Sequence, residues 1–235
     1  YAKSAYTVTS ETKVDTLINT VTVNLKNEFP NSDIRYVLNN ADINSEAIPF
    51  TEPIKITETT SITASLFEDD KPVGNVFPKT YTFDKAVGKK VIYHTKYSDN
   101  YPGTGNTTLV NILRGSKNFH DGQWQAWLNK DMDATVDLGE PTQISTVTLG
   151  TMENQGPSIF FPTRVEVWVS SDGKKFMPIG AVDRPFKSNA GGAELKDFTI
   201  TFEPQQVQYV KVKASCFKDN PRGGAWLFVD ELIVE

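Results

Sequence analysis

The sequence is short of the residues around which metal and redox centres are built. It has one cysteine, Cys216, and two histidines, His94 and His120, so no internal disulfide can form and no zinc-type Cys/His spacing can be drawn. A surplus of positive charge is missing too. Lysine and arginine number 24 against 29 aspartates and glutamates, a formal net charge of −5. The electrostatic footprint of a phosphate-backbone binder is absent, which excludes nucleic acid as the expected partner. The longest apolar runs, such as residues 225–229, are far too short to cross a bilayer, so no transmembrane segment is expected. The chain opens at Tyr1 without a methionine, a basic n-region or an apolar h-region, and reads as a fragment or mature segment of something longer.

What is present is period-two alternation. Val21, Val23 and Leu25 alternate with Thr22 and Asn24, and Ile34, Tyr36 and Leu38 with Arg35 and Val37; the pattern recurs through Ile54 and Ile56, Ile62 to Leu66, and Tyr81 and Phe83. Such runs predict half-buried strands, and the Asn-, Asp- and Pro-rich stretches 39–44 and 68–72 predict turns between them. Residues 84–90 are polar, contain glycine and carry no alternation, which predicts an inter-domain connection near Ala86. New strands follow around Val91, Val136, Val147, Val165, Phe198 and Val210, and over residues 227–234. Asp172-Gly173 is a hairpin signal between 165–171 and 174–179. Only residues 109–113 hint at a helical turn. At roughly 1.6 domains by length, the reading is all-β: two consecutive sandwiches, 1–86 and 87–235.

Catalytic patterns are hard to find. Gly103-Thr104-Gly105-Asn106-Thr107-Thr108 lacks the Lys-Ser/Thr of a phosphate loop and reads as a plain loop. No Gly-x-Ser-x-Gly is present. Sugar hydrolysis needs two facing carboxylates about 5 to 9.5 Å apart; Asp230 and Glu231 are strand neighbours whose side chains point to opposite faces. The chain is read as non-catalytic. The loops of the second unit are instead rich in aromatics, Phe119, Trp124, Phe160, Phe186 and Trp226 among them, interleaved with His120, Asn154 and Arg222. Aromatic faces stack on the apolar surfaces of sugars while amides, guanidinium and imidazole bond their hydroxyls. Glycine beside Trp124 (Gly122) and before Trp226 (Gly223-Gly224) points to exposed loops.

Residues 88–235 resemble the discoidin, or coagulation factor 5/8 type C, sandwich, which includes the family 32 sugar-binding modules of bacterial glycosidases. The resemblance is carried by Arg114-Gly115-Ser116, His120-Asp121-Gly122-Gln123-Trp124, Thr135-Val136-Asp137-Leu138-Gly139, Val165 to Gly173, and Trp226-Leu227-Phe228-Val229-Asp230-Glu231. It implies a jelly-roll sandwich that binds glycan or polysaccharide through loops. Trp226, five residues before Glu231, stands at the family's stacking position. Trp124 is a second wall, and His120 and Arg222 are hydroxyl partners. Leu128 stands where galactose binders of the family carry histidine. The resemblance also implies a structural calcium, with Asn111 and Glu231 as side-chain ligands and carbonyls completing the shell. At three positions the residue departs from the family: Asn111 replaces its aspartate, Ile112 its glycine and Gln125 its threonine.

Residues 1–86 are similar to the immunoglobulin-like module of chitobiase-type β-hexosaminidases, through Ala2-Lys3-Ser4-Ala5-Tyr6, Ile34-Arg35-Tyr36-Val37-Leu38, residues 50–56 and residues 59–67. Together the two resemblances imply an accessory region of a bacterial glycoside hydrolase of family 20, exported to the periplasm or cell surface, whose partners are a glycan and the catalytic domain of the parent enzyme. The alternative is a structural or interaction module that packs on a catalytic barrel or another protein and binds no sugar. Either way the purified chain is expected to show no turnover of aryl N-acetylglucosaminides; turnover that is lost on replacing one carboxylate would overturn this.

Overall fold

The computed structural model describes residues 7–15, 17–29 and 31–235; the stretch Ala2-Lys3-Ser4-Ala5-Tyr6 lies outside the described residues. The chain forms two compact units, Tyr1–Phe83 and Asp84–Glu235. Ala86, where the sequence places the connection, is wholly buried in the core of the second unit.

In the first unit, β1 (Thr9–Asp15), β2 (Thr20–Lys26) and β5 (Ile54–Ile56) form one antiparallel sheet. The other sheet runs β4 (Ile48–Pro49), β3 (Ile34–Leu38), β6 (Thr60–Glu68) and β7 (Lys71–Tyr81). The alternation read from β2 holds, with Val21, Val23 and Leu25 all buried. In β3 it fades, because Ile34 is buried while Leu38 is 39% exposed at the strand end. Glu68 pairs with Lys71 across Asp69 and Asp70, which both take positive φ, 49° and 59°. That is the two-residue turn whose twist suits a hairpin. The Thr12 and Tyr81 hydroxyls meet at 2.7 Å and tie β1 to β7.

The second unit contains β8 (Lys90–Tyr93), a 3-10 helix (Gly105–Val110), β9 (Gln125–Leu128), β10 (Met132–Glu153), β11 (Arg164–Ser170), β12 (Met177–Asp183), β13 (Glu194–Ser215) and β14 (Trp226–Val234). Where the sequence reads separate strands around Val136 and Val147, and around Phe198 and Val210, the structure runs one long strand through each pair. Pro141 and Pro204 do not break these strands. They sit in the register shifts between Asp137 and Thr142 and opposite Ile144 to Thr146, where no ladder donor is required. The long strands bend there and serve both layers of a sandwich. One layer runs β12-β11-β13-β10-β8, with Ala134 on Tyr93 and Val165 on Ala214. The other runs β13-β10-β14-β9, with Leu149 on Leu232 and Leu227 on Trp127. Val136, Val147, Leu149, Val167, Val212 and Leu232 fill the space between them.

β11 and β12 form the hairpin expected at Asp172-Gly173, but the second strand restarts only at Met177. Asp172 Oδ1 accepts the Lys174 and Lys175 amides at 2.8 and 2.9 Å. These bonds lengthen the turn and draw the carboxyl down to about 2. The hint of helix at 109–113 is realised earlier, as the 3-10 turn ending at Val110.

Asp84 clamps the start of this unit to its last strand. Its Oδ1 accepts Val234 N–H at 3.0 Å and Ala86 N–H at 2.7 Å, while Oδ2 is buried without a hydrogen-bond partner. Burial pushes the carboxyl up to about 6. The unfolded chain releases this proton near its ordinary 3.8, so between those values the folded state holds more protons and stability falls as pH rises. Asp84→Asn keeps an acceptor oxygen and removes the buried charge. It is expected to gain roughly 1–3 kcal/mol over the wild type at pH 7.5, with the gain vanishing below pH 4; calorimetry of the full chain across pH checks it.

Candidate functional site

One loop end of the second unit gathers aromatic rings from three separate loops. Trp226 opens β14, held by its own N–H to Ser158 O at 2.9 Å and by Phe160 N–H to its carbonyl at 3.0 Å. Its ring is half-buried, and the indole N–H meets no acceptor among the described residues. Tyr101, from the loop after β8, stands edge-on to Trp226, with ring centroids 5.3 Å apart at 82°. Phe119 and His120, from the loop before β9, close the far side: Tyr101 lies 6.2 Å from Phe119 and 5.9 Å from His120. Beneath this shelf sit Phe228, 4.7 Å from Tyr101, and then Trp124, 6.3 Å from Phe228. Each ring braces the next, so the shelf is preorganised and little side-chain entropy remains to be lost when a flat ligand lands on it.

The expected residues divide. Trp226 and His120 meet on the shelf through Tyr101. Trp124 does not form an open wall, and this corrects the sequence reading: it is 2% exposed, its Nε1 donates to Ser116 O at 3.1 Å, and Gly115 lies flat against it. A Cβ on Gly115 would fall 2.2 Å from Trp124 Cε2. Gly122, the glycine beside Trp124 in sequence, serves a turn at φ +82°. Arg222 is exposed, but its guanidinium is engaged as a strut, donating to Gln155 O at 2.6 Å and Gly156 O at 3.3 Å. Gln155 in turn bridges to Lys187 O and Asn189 N–H. Arg222 therefore stiffens the 154–159 loop that holds Trp226, and bonds a ligand only with donors left over. Tyr101 escaped sequence reading because it sits beside Pro102-Gly103 in a stretch without periodicity; an aromatic heading turn residues was the one signal.

Asp230 and Glu231 do point to opposite sides, and both are buried. Asp230 Oδ2 accepts Arg114 Nε at 2.8 Å and Gly115 N–H at 2.9 Å. Burial raises its pKa, and the Arg114 charge opposes the rise. Glu231 Oε1 accepts Ile112 N–H at 3.1 Å, and Oε2 has no hydrogen-bond partner. Burial holds its pKa well above the usual carboxylate range.

Asn111 spends both ends of its amide: Nδ2 donates to Thr104 Oγ1 at 2.8 Å and Oδ1 accepts Leu113 N–H at 2.8 Å. Gln125 also spends both, Oε1 on the Tyr93 hydroxyl and Nε2 on two carbonyls. Calcium takes six to eight oxygens. Of the side chains at the three family positions Asn111, Gln125 and Glu231, only Glu231 Oε2 is unengaged, and among the described residues no group of three or more His, Cys, Asp or Glu could hold a metal. These side chains do not fit a calcium ion.

The two-layer β-sandwich of the second unit is of the discoidin type. The F5/8 type C domain model matches residues 94–229, and the chain belongs to that family. Among solved structures, the chain is similar to chitosan-binding module 1 of a chitosanase/glucanase from Paenibacillus sp. IK-5, at 15% identity and a TM-score of 0.42, covering 65% of this chain and 98% of that one. It is also similar to CpGH89CBM32-5 from Clostridium perfringens, in complex with GalNAc-β-1,3-galactose, at 21% identity and a TM-score of 0.40, covering 62% and 93%. No curated protein matches the chain.

Trp124 is thus assigned to the base of the shelf. Trp124→Ala is expected to destabilise the second unit by about 3–5 kcal/mol. Gly115→Ala should be costly in the wild type and much cheaper in the Trp124→Ala background, because the clash is with that ring. A double-mutant cycle in urea measures the coupling, and additive effects would refute the packing argument.

Proposed function

We propose that this chain is a non-catalytic glycan-binding region that engages sugar rings on the shelf of Trp226, Tyr101, Phe119 and His120. The observation that carries the reading is the half-exposed Trp226, with a free indole N–H, fixed edge-on against Tyr101. A flat apolar face beside a free donor suits a pyranose ring, whose carbon face stacks while its hydroxyls bond. His120 adds an exposed imidazole able to donate or accept. Membership of the F5/8 type C family and the position of Trp226 before Glu231 support the same reading.

The resemblance of residues 1–86 to the immunoglobulin-like chitobiase module, supported by two antiparallel sheets in the first unit, extends the proposal. The chain would belong to an exported bacterial hexosaminidase, periplasmic or surface-bound, and would keep the catalytic domain close to its polymer. Such tethering raises effective substrate concentration without any new chemistry. Affinity should be weak, because a shallow shelf offers on the order of 1–3 kcal/mol for each stacked ring, by analogy with base stacking.

Calorimetric titration against chitooligosaccharides, galactosides and mucin glycans tests this. Trp226→Ala is expected to weaken binding about tenfold, the equivalent of about 1.4 kcal/mol, and His120→Ala by less. Binding unaffected by Trp226→Ala and Tyr101→Ala would remove the site. No binding to any glycan would favour a structural module that packs on a catalytic barrel or a partner protein.

A further inference from the structure

Gln125 is fully buried at the start of β9, and its carboxamide is the hub of a closed polar network. Tyr93 Oη donates to Gln125 Oε1 at 2.8 Å. Gln125 Nε2 donates to Gly105 O at 2.7 Å and Pro102 O at 3.2 Å. Thr108 Oγ1 lies against the same two carbonyls, at 2.9 and 3.3 Å, and accepts Thr104 N–H at 2.8 Å. Thr104 Oγ1 then receives Asn111 Nδ2. The orientation of the amide follows from its partners: turned over, its oxygen would face two carbonyl oxygens and its NH2 would face the tyrosine hydroxyl.

The network does what a structural cation does. Loop 101–111 brings carbonyl oxygens inward, and converging carbonyls need positive partners, which are a metal ion or N–H and O–H groups. Here the Gln125 amide bridges the two carbonyls, Gly105 N–H joins it on Pro102 O at 2.9 Å, and the Thr108 hydroxyl lies against both. Gln125 is longer than the threonine usual at this position, so its NH2 reaches the loop carbonyls directly. Asn111, in place of an aspartate, brings no charge that would need neutralising and uses its own NH2 to hold Thr104. The loop so fastened leads directly from Tyr101, whose carbonyl accepts Ala126 N–H at 3.2 Å, so the fastening also sets one ring of the shelf.

We propose that in this chain the Gln125 carboxamide replaces the structural calcium of the family, so that the second unit folds and holds loop 101–111 without a metal ion. The inference does not depend on sugar binding, and its test reads metal content and stability. The full chain is purified without chelator, assayed for bound calcium by elemental analysis, and melted in EDTA and in millimolar calcium. Less than a tenth of an equivalent of calcium and superimposable melts are expected. Gln125→Ala takes one donor from each of Gly105 O and Pro102 O and the acceptor from the Tyr93 hydroxyl, and is expected to melt about 5 °C or more below wild type, equally in both buffers. One equivalent of calcium in the wild type, with a melting temperature that falls in EDTA, would overturn the proposal. So would a Gln125→Ala variant that melts like wild type in EDTA. Should Gln125→Ala not fold, the wild-type metal content and paired melts decide alone.

Discussion

The second unit is organised around one buried carboxylate. Asp230, 1% exposed, receives the Arg114 guanidinium and the Gly115 amide from a segment 116 residues earlier in the chain. Arg114 also reaches Asp197 on β13, so one arginine ties the last strand, a long inner strand and the loop leading to the shelf. Removing Arg114 would leave the Asp230 charge in a place with no water to solvate it, a loss of about 3–5 kcal/mol where it has been measured in buried pairs. Close approach is part of the same constraint. A Cβ on Gly150 would meet Asp230 Oδ1 at 2.0 Å and Arg114 Nη2 at 2.5 Å, so glycine is required where β10 passes the pair.

From this anchor the shelf follows by contiguous packing. Gly115 is held by Asp230 and lies flat on Trp124; Trp124 supports Phe228; Phe228 supports Tyr101 and Trp226. The shelf residues thus sit on loops, while their positions are set by strands and by a buried ion pair. This is how a loop surface can be open to solvent and still rigid. The arginine nearest Trp226 in sequence takes part in this stiffening. Arg222 fastens Gln155 and Gly156, and Gln155 fastens the 187–189 stretch, so the chain that flanks Trp226 is cross-braced.

Polar networks replace charges elsewhere in the unit. The loop between the 3-10 helix and β8 is fastened through Gln125, Thr108, Thr104 and Asn111, all uncharged. Four acids among the described residues have a buried oxygen without a hydrogen-bond partner: Asp133 and Glu153 face Lys211, Lys213 and Arg184, while Asp84 and Glu231 are pushed toward the neutral form by burial. Neutral groups satisfied by short hydrogen bonds make a low-dielectric interior less costly than ions would.

Much of the architecture was legible in the sequence because strands announce themselves locally. Alternation at Val21 to Leu25 or Val165 to Val169 needs only neighbouring residues, and turn residues such as Asp172 and Gly173 act through their own φ and side-chain bonds. The half-exposed place of Trp226 at the loop end was legible as well, from the glycines before it. Tertiary structure alone decided the rest. It joined runs that read as separate strands into β10 and β13, since prolines that look like breaks fall where the ladder shifts register. It buried Trp124, because a glycine beside a tryptophan signals a turn or a close approach equally well, and only Gly115 beneath the ring distinguishes them. It recruited Tyr101 and made Gln125 a hub. The physical reason is that hydrogen bonds and ring contacts such as those of Tyr101 with Trp226 and Phe228, or of Gln125 with Tyr93 and Gly105, leave no periodicity in the chain, so they exist only once the layers have closed.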